Sequence, residues 1–277
     1  MPPLTESSLS PTLLVIVQIV FEHEMEKVMR TPVMDSVVER RLLVNYRITP
    51  EVVARLLPAG FRPQVVRGWA VGGVCAIRLG SLRPHGMPAA LGLTSEGCAH
   101  RFAVEWNDGN TVNHGVFIAR RESGSRINVL AGDRLFPGRH APARFDVDEF
   151  EDRIALQCVG IDVRVRVAGA VSASLDGSEL FTDLGAASEF YRSAPVGYSP
   201  TRRADRLKGM EFRTDAWSIE PFELDSMESS YFDDRTRFPA DAIALDSALV
   251  MRNVPATWHR APAIDMTQPV AAVTVAA

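Results

Sequence analysis

Lysine is nearly missing from this chain. Lys27 and Lys208 are the only lysines among 30 basic residues; the rest are arginine. A mechanism built on a Schiff-base amine therefore has two candidate residues and no more. Cysteine is also scarce. Cys75, Cys98 and Cys158 are an odd number, far apart, with no CxxC pair. That excludes a disulfide framework, indicates no zinc site, and fits a reduced, cytoplasmic protein. The six histidines are scattered, so no metal centre is indicated. The GxGxxG, P-loop, HExxH and GxSxG patterns are absent, and no residue reports a nucleotide, flavin or other cofactor. A net charge of -4 gives a nucleic-acid partner no electrostatic support. The longest apolar run, Pro11–Phe21, is shorter than the ~17 to 25 residues that span a bilayer. No basic residue precedes it, so it does not read as a signal peptide; no stable membrane insertion is expected, and a weak membrane anchor is the alternative. Residues 1–32 read as an amphipathic helical or poorly ordered extension, with later starts available at Met25, Met29 and Met34.

What is present is an ordinary globular composition, 46% hydrophobic and 23% charged. Segments that read as strands recur along the chain: Leu42–Arg47, Pro63–Val66, Trp69–Leu79, His100–Trp106, His114–Arg120, Ala143–Val147, Arg153–Val159 and Ile161–Val167. Others follow at Gly209–Thr214, Ala216–Glu223 and Ala242–Met251. Thr49-Pro50-Glu51 starts a short helix, with Thr49 as N-cap. Leu180–Tyr191 is the best amphipathic helix, and Ser125–Arg134 is a second, shorter candidate. Ser81–Pro88 reads as a loop. The pattern predicts one β-rich α+β domain over 33–260, built on an antiparallel sheet or barrel, with a loose tail over 261–277.

Two constellations carry chemistry. Ser95-Glu96-Gly97 enters an alternating strand through His100. A carboxylate at a strand entrance can project into a pocket, where burial raises its pKa for proton transfer; it can equally be a turn residue in water, and His100 a satisfied histidine. Arg120-Arg121-Glu122, with Arg126 and Asn128, packs three guanidinium groups into one segment. Arginine forks hold carboxylates in two-point contact. The cluster reads either as a cradle for an acidic small molecule or as a salt-bridge network that closes a barrel end. Tyr198-Ser199-Pro200 is a weaker candidate, a polar turn that lines a mouth or joins strands.

Together with Glu39–Arg47, Gly68–Gly73, Ala99–Arg101, Ser125–Gly132, Val196–Pro200 and Leu245–Arg252, these residues make the sequence resemble, over about residues 30–259, the bacterial family termed "domain of unknown function 2071". That family is related to the acetoacetate decarboxylase-like superfamily. The resemblance implies a strongly curved antiparallel sheet, barrel or cone with a few outer helices and a pocket, in a superfamily where homo-oligomers are common. It also implies that Glu96 matches a pocket glutamate, that Arg121-Glu122 matches an Arg-Glu dipeptide, and that Arg40 matches a pocket arginine. The decarboxylases place a Schiff-base lysine a few residues after that dipeptide. This chain has no lysine there, and arginine cannot supply the amine.

The sequence therefore points to a cofactor-independent, lyase-like enzyme acting on a carbonyl- or carboxylate-bearing small molecule by enolisation, dehydration, cyclisation or decarboxylation without a Schiff base. Glu96, Arg121, Arg126 and Asn128 are its expected catalytic groups. Arg40, His100, Arg120, Glu122 and Tyr198 are the expected substrate contacts. The alternatives are a non-catalytic organic-acid binding protein, or a barrel whose arginine–glutamate pairs are purely structural.

Overall fold

Leu42-Leu43-Val44-Asn45-Tyr46 is an unbroken buried run inside strand β1, Met34–Ile48. A strand that hides both faces loses the polar–apolar alternation of a half-exposed one. β1 sits at the centre of the molecule. One edge pairs with β4 (Trp69–Pro84) and the other with the long β14 (Ile243–Asp265), both antiparallel. The computed structural model describes residues 33–108, 111–125, 129, 138–201 and 205–266, and these all belong to one compact unit.

The hydrogen bonding closes on itself. From β1 it runs through β4, β5 (Leu93–Asn107), β6 (Val112–Ser123), β11 (Val196–Pro200), β12 (Arg206–Arg213) and β14, and back to β1. From β14 the same sheet extends outward through β13 (Glu220–Ser229), β10 (Arg164–Val171), β9 (Arg153–Val159) and β8 (Arg144–Phe150). The short pieces β2 (Arg62–Pro63), β3 (Val65–Val66) and β7 (His140–Pro142) pair with β5, β4 and β6.

The expected sheet was antiparallel; the observed one is mixed. β11 and β7 both run parallel to β6. Parallel neighbours need a long return path, and between β6 and β11 the chain supplies one through β8, β9, β10 and helix α2 (Leu184–Arg192).

Two apolar cores lie on the two faces of this sheet. Leu42, Val44, Phe102 and Phe117 pack on one face against Leu156 and Val165 of the outward extension and against Phe232 and Phe238. Leu43, Cys75 and Leu79 pack on the opposite face with Met210 and Phe212, which come from strands across the ring. The second core is therefore the ring's interior.

Helix α2 closes against that interior. Asp183 caps it, accepting the Ala186 N–H at 2.8 Å, and Ala187 and Tyr191, one turn apart, are its buried residues. The helix begins four residues later than the apolar spacing predicts, because Asp183 is its N-cap. The short helix α1, Pro50–Ala54, starts as expected, but the Thr49 side chain makes no capping bond. Strand β4 runs on to Pro84 through the expected loop, and β14 reaches Asp265, past the expected end of regular structure. The helix expected over Ser125–Arg134 lies almost wholly outside the described residues. Among those residues no helix is long and apolar enough to cross a membrane.

Gly73 sets how closely β4 approaches β1. A Cβ there would lie 2.1 Å from the Val44 carbonyl oxygen, a backbone atom held in the ladder. Gly73→Ala should therefore cost about 1–3 kcal/mol, the usual range for overpacking. Urea unfolding measures it; an unchanged midpoint would show that the two strands separate freely.

Candidate functional site

The ring encloses a cavity of about 130 Å³, and each of its seven strands contributes to the lining. Register explains why there is room. Three successive rungs cross β1, β4, β5 and β6 on the interior face: Arg41–Ile77–Gly97–Ser123, then Leu43–Cys75–Ala99–Arg121, then Asn45–Gly73–Arg101–Ile118. Each rung carries one arginine. The small residues Gly97, Ala99 and Cys75 leave the floor open between the arginines. Apolar wall comes from Val116, Ile118, Met210, Phe212 and Trp258.

Arg101 is the deepest of the three, only 3% exposed. One Nη donates to Asn45 Oδ1 at 2.7 Å and to the Tyr191 hydroxyl at 3.3 Å. The guanidinium also lies 5.1 Å from the Tyr191 ring centre. The Tyr191 hydroxyl donates to Asn45 Oδ1 at 2.6 Å, so α2 holds the arginine's anchor in place. Among the described residues Nε and Nη1 have no partner. Leaving a buried charged donor unpaired is costly.

Arg121 Nε donates to Ser199 Oγ at 3.2 Å. Burial lowers its guanidinium pKa to about 10, which still leaves it a cation at neutral pH. Arg41 lies over the Phe212 ring at 5.3 Å. Among the described residues no carboxylate pairs with Arg41, Arg101 or Arg121. Asp246, packed near Tyr191, is spent on Arg47 at 4.0 Å and on the backbone N–H groups of Glu179 and Leu180.

Glu96 and Glu122 also border the cavity, but their carboxylates are engaged with arginines from the other face of the same strands. Glu96 pairs with Arg40 at 2.5 Å and with Arg78 at 3.4 Å; Arg40, 1% exposed, also binds Glu149. Burial pushes the Glu96 carboxyl above its ordinary value; the pull of Arg40 and Arg78 only partly offsets this, and Glu149 adds to the rise. Glu122, fully buried, pairs with Arg120, which also binds Asp162. His100 Nδ1 lies 3.7 Å from Glu122 Oε2, its Nε2 is 3.4 Å from Ser229 Oγ, and its ring packs on Tyr231.

The expected residues therefore divide. Glu96 meets Arg40, and Glu122 meets Arg120 and His100. Arg121 pairs with Ala99, three residues along β5 from Glu96, and that odd separation turns the two side chains to opposite faces. Tyr198 packs against Phe61 and Trp106, its hydroxyl donating to the Pro262 carbonyl. Arg126 and Asn128 lie outside the described residues. Arg41 and Arg101 were not among the expected site residues. The signal for Arg101 was its place between Ala99 and Ala103, a charge at an inward position of an alternating strand. Arg41, beside Arg40, carried no such mark. His140, also missed, lines the cavity as the cross-strand neighbour of Arg121. No group of His, Cys, Asp or Glu among the described residues is arranged to hold a metal ion.

The model of a family described as an uncharacterised conserved protein, DUF2071, matches residues 37–251. No curated protein matches. Solved structures do. An acetoacetate decarboxylase-like enzyme from Sphingomonas wittichii RW1 superposes with a TM-score of 0.55 at 15% identity, covering 82% of this chain and 90% of its own. The enduracididine biosynthesis enzyme MppR, complexed with pyruvate, gives 0.55 at 12%, covering 85% and 90%. Acetoacetate decarboxylase from Legionella pneumophila gives 0.54 at 10%, covering 82% and 84%. At these identities the likeness is one of fold.

The raised Glu96 pKa has a stability consequence. A carboxyl whose folded pKa exceeds its unfolded value adds stability that is full below the unfolded pKa and is lost as pH rises through the folded one. Glu96→Gln removes that dependence. The stability of the variant relative to wild type should rise with pH across the window just above the ordinary glutamate pKa. Paired urea titrations at several pH values check it; a constant difference would show that Glu96 is not perturbed.

Proposed function

The chain belongs to the DUF2071 family, and on that premise we propose that it acts on a carbonyl-bearing carboxylate held in the ring cavity. Arg101 carries the reading: a buried guanidinium with two nitrogens unpartnered among the described residues, lining a cavity whose bordering carboxylates, Glu96 and Glu122, are held by Arg40, Arg78 and Arg120. Such a group is preorganised for a ligand anion, because fixed donors pay no reorganisation when charge develops against them.

The chemistry proposed is enolisation. A base removes the proton next to the substrate carbonyl, the electron pair moves to the carbonyl oxygen, and a guanidinium stabilises the resulting enolate. Reprotonation at carbon, loss of a leaving group or ring closure then fixes the product. No Schiff base is invoked, since the cations lining the cavity are arginines. Proton transfer is assigned to His140, which lines the cavity beside Arg121. Glu96 borders the cavity but is a weaker choice, since its carboxylate is held by two arginines. The non-catalytic binding reading shares the same cavity and differs only in lacking turnover.

Pyruvate and 2-oxobutyrate in D2O provide the assay, with loss of the C3 proton signal followed by NMR. Wild type should accelerate exchange. Arg101→Met should weaken binding of either acid about ten- to a hundredfold, the worth of a charge-assisted hydrogen bond. His140→Gln should retain binding and lose exchange. Binding without exchange in the wild type would leave the binding-protein reading; no binding at all would overturn both.

A further inference from the structure

The proposed cavity carries more positive charge than one carboxylate can balance. Among the described residues each deep cation elsewhere has a buried carboxylate: Arg40 has Glu96, which Arg78 also reaches, Arg120 has Glu122, and Arg47 has Asp246 besides the exposed Glu179. The additional carboxylates around them, Glu39, Glu149 and Asp162, are 38%, 39% and 68% exposed, so solvent screens them. What remains is Arg41, Arg101 and Arg121. All three line one cavity, on three successive rungs, with no carboxylate partner among the described residues. Strand spacing and rise set the Cα atoms of Arg101 and Arg121 about 8 Å apart, and Arg41 lies across the floor on the far strand.

We infer that the ligand is a compact organic dianion, with anionic groups at two ends of a short chain. This rests on the cavity being the ligand site. A monocarboxylate engages one guanidinium fork and leaves the remaining cations facing each other in a poorly solvated space. A second anionic group relieves that repulsion and uses the donors of Arg101 that a single contact leaves idle. Size sets the upper bound. A cavity of about 150 Å³ accommodates benzene, and this one, at about 130 Å³, suits a four-carbon diacid better than a sugar or a nucleotide. The small floor residues Gly97 and Ala99 leave space for the chain between the cationic ends.

Succinate and butyrate share a four-carbon chain and differ in the second carboxylate. Titration calorimetry of the full chain at fixed ionic strength should find succinate at least tenfold tighter. Arg41→Met, checked for folding by circular dichroism, should bring the succinate-to-butyrate ratio near one; a ratio that stays high would overturn the role of Arg41 in the dianion site. Phosphoglycolate tests whether the second group is a carboxylate or a phosphate; either two-headed anion outbinding butyrate supports the inference, and the tighter one names the group. Equal affinity for succinate, phosphoglycolate and butyrate would overturn the inference while leaving a monocarboxylate site intact. No binding by any of them, together with none by pyruvate, would remove the site itself.

Discussion

A strand with a partner on each edge and a core on each face forces everything that follows. β1 cannot show one side to water, so its alternate residues serve two separate interiors. Arg40 and Arg41 are consecutive, yet one enters an ion-pair cluster and the other enters the ring. The same parity divides Glu96 from Gly97, and Glu122 from Arg121. The outer face neutralises its deep charges internally. The ring face does not, and that asymmetry is the strongest functional feature of the molecule.

The ring face is also the more rigidly prepared. Arg101 is fixed by Asn45, Asn45 by Tyr191, and Tyr191 by the capped helix α2. Asn45 further donates to Ser247 on β14 at 3.3 Å, so this chain of contacts ties β5, β1, β14 and the helix together. Preorganisation of this kind keeps an unpaired guanidinium in place, and its cost is offset by the packing of Tyr191 and Phe181 in the interior core.

Much of the strand content was legible from alternation, since Arg153–Val159 and the residues after it repeat with period two and occur as strands. The family resemblance was legible in local motifs. Order around the ring was not, because pairing partners lie far apart in sequence: β1 meets β14 across some two hundred residues, and β11 returns parallel to β6. Site residues were legible as chemical types but not as faces. Glu96 and Arg121 look like neighbours when read along two motifs, and only the β5–β6 register shows that their side chains part. Arg101 was hidden by its apolar surroundings, which is also what makes it unusual.

Closure of the ring also determines where the sheet ends. Hydrogen bonding that returns on itself has no terminal strand, and the outward extension ends at β8. That strand carries Asp146, Asp148 and Glu149, a concentration of negative charge on the one outer rim of the path. Two copies meeting there would set carboxylate against carboxylate, a common defence against strand addition.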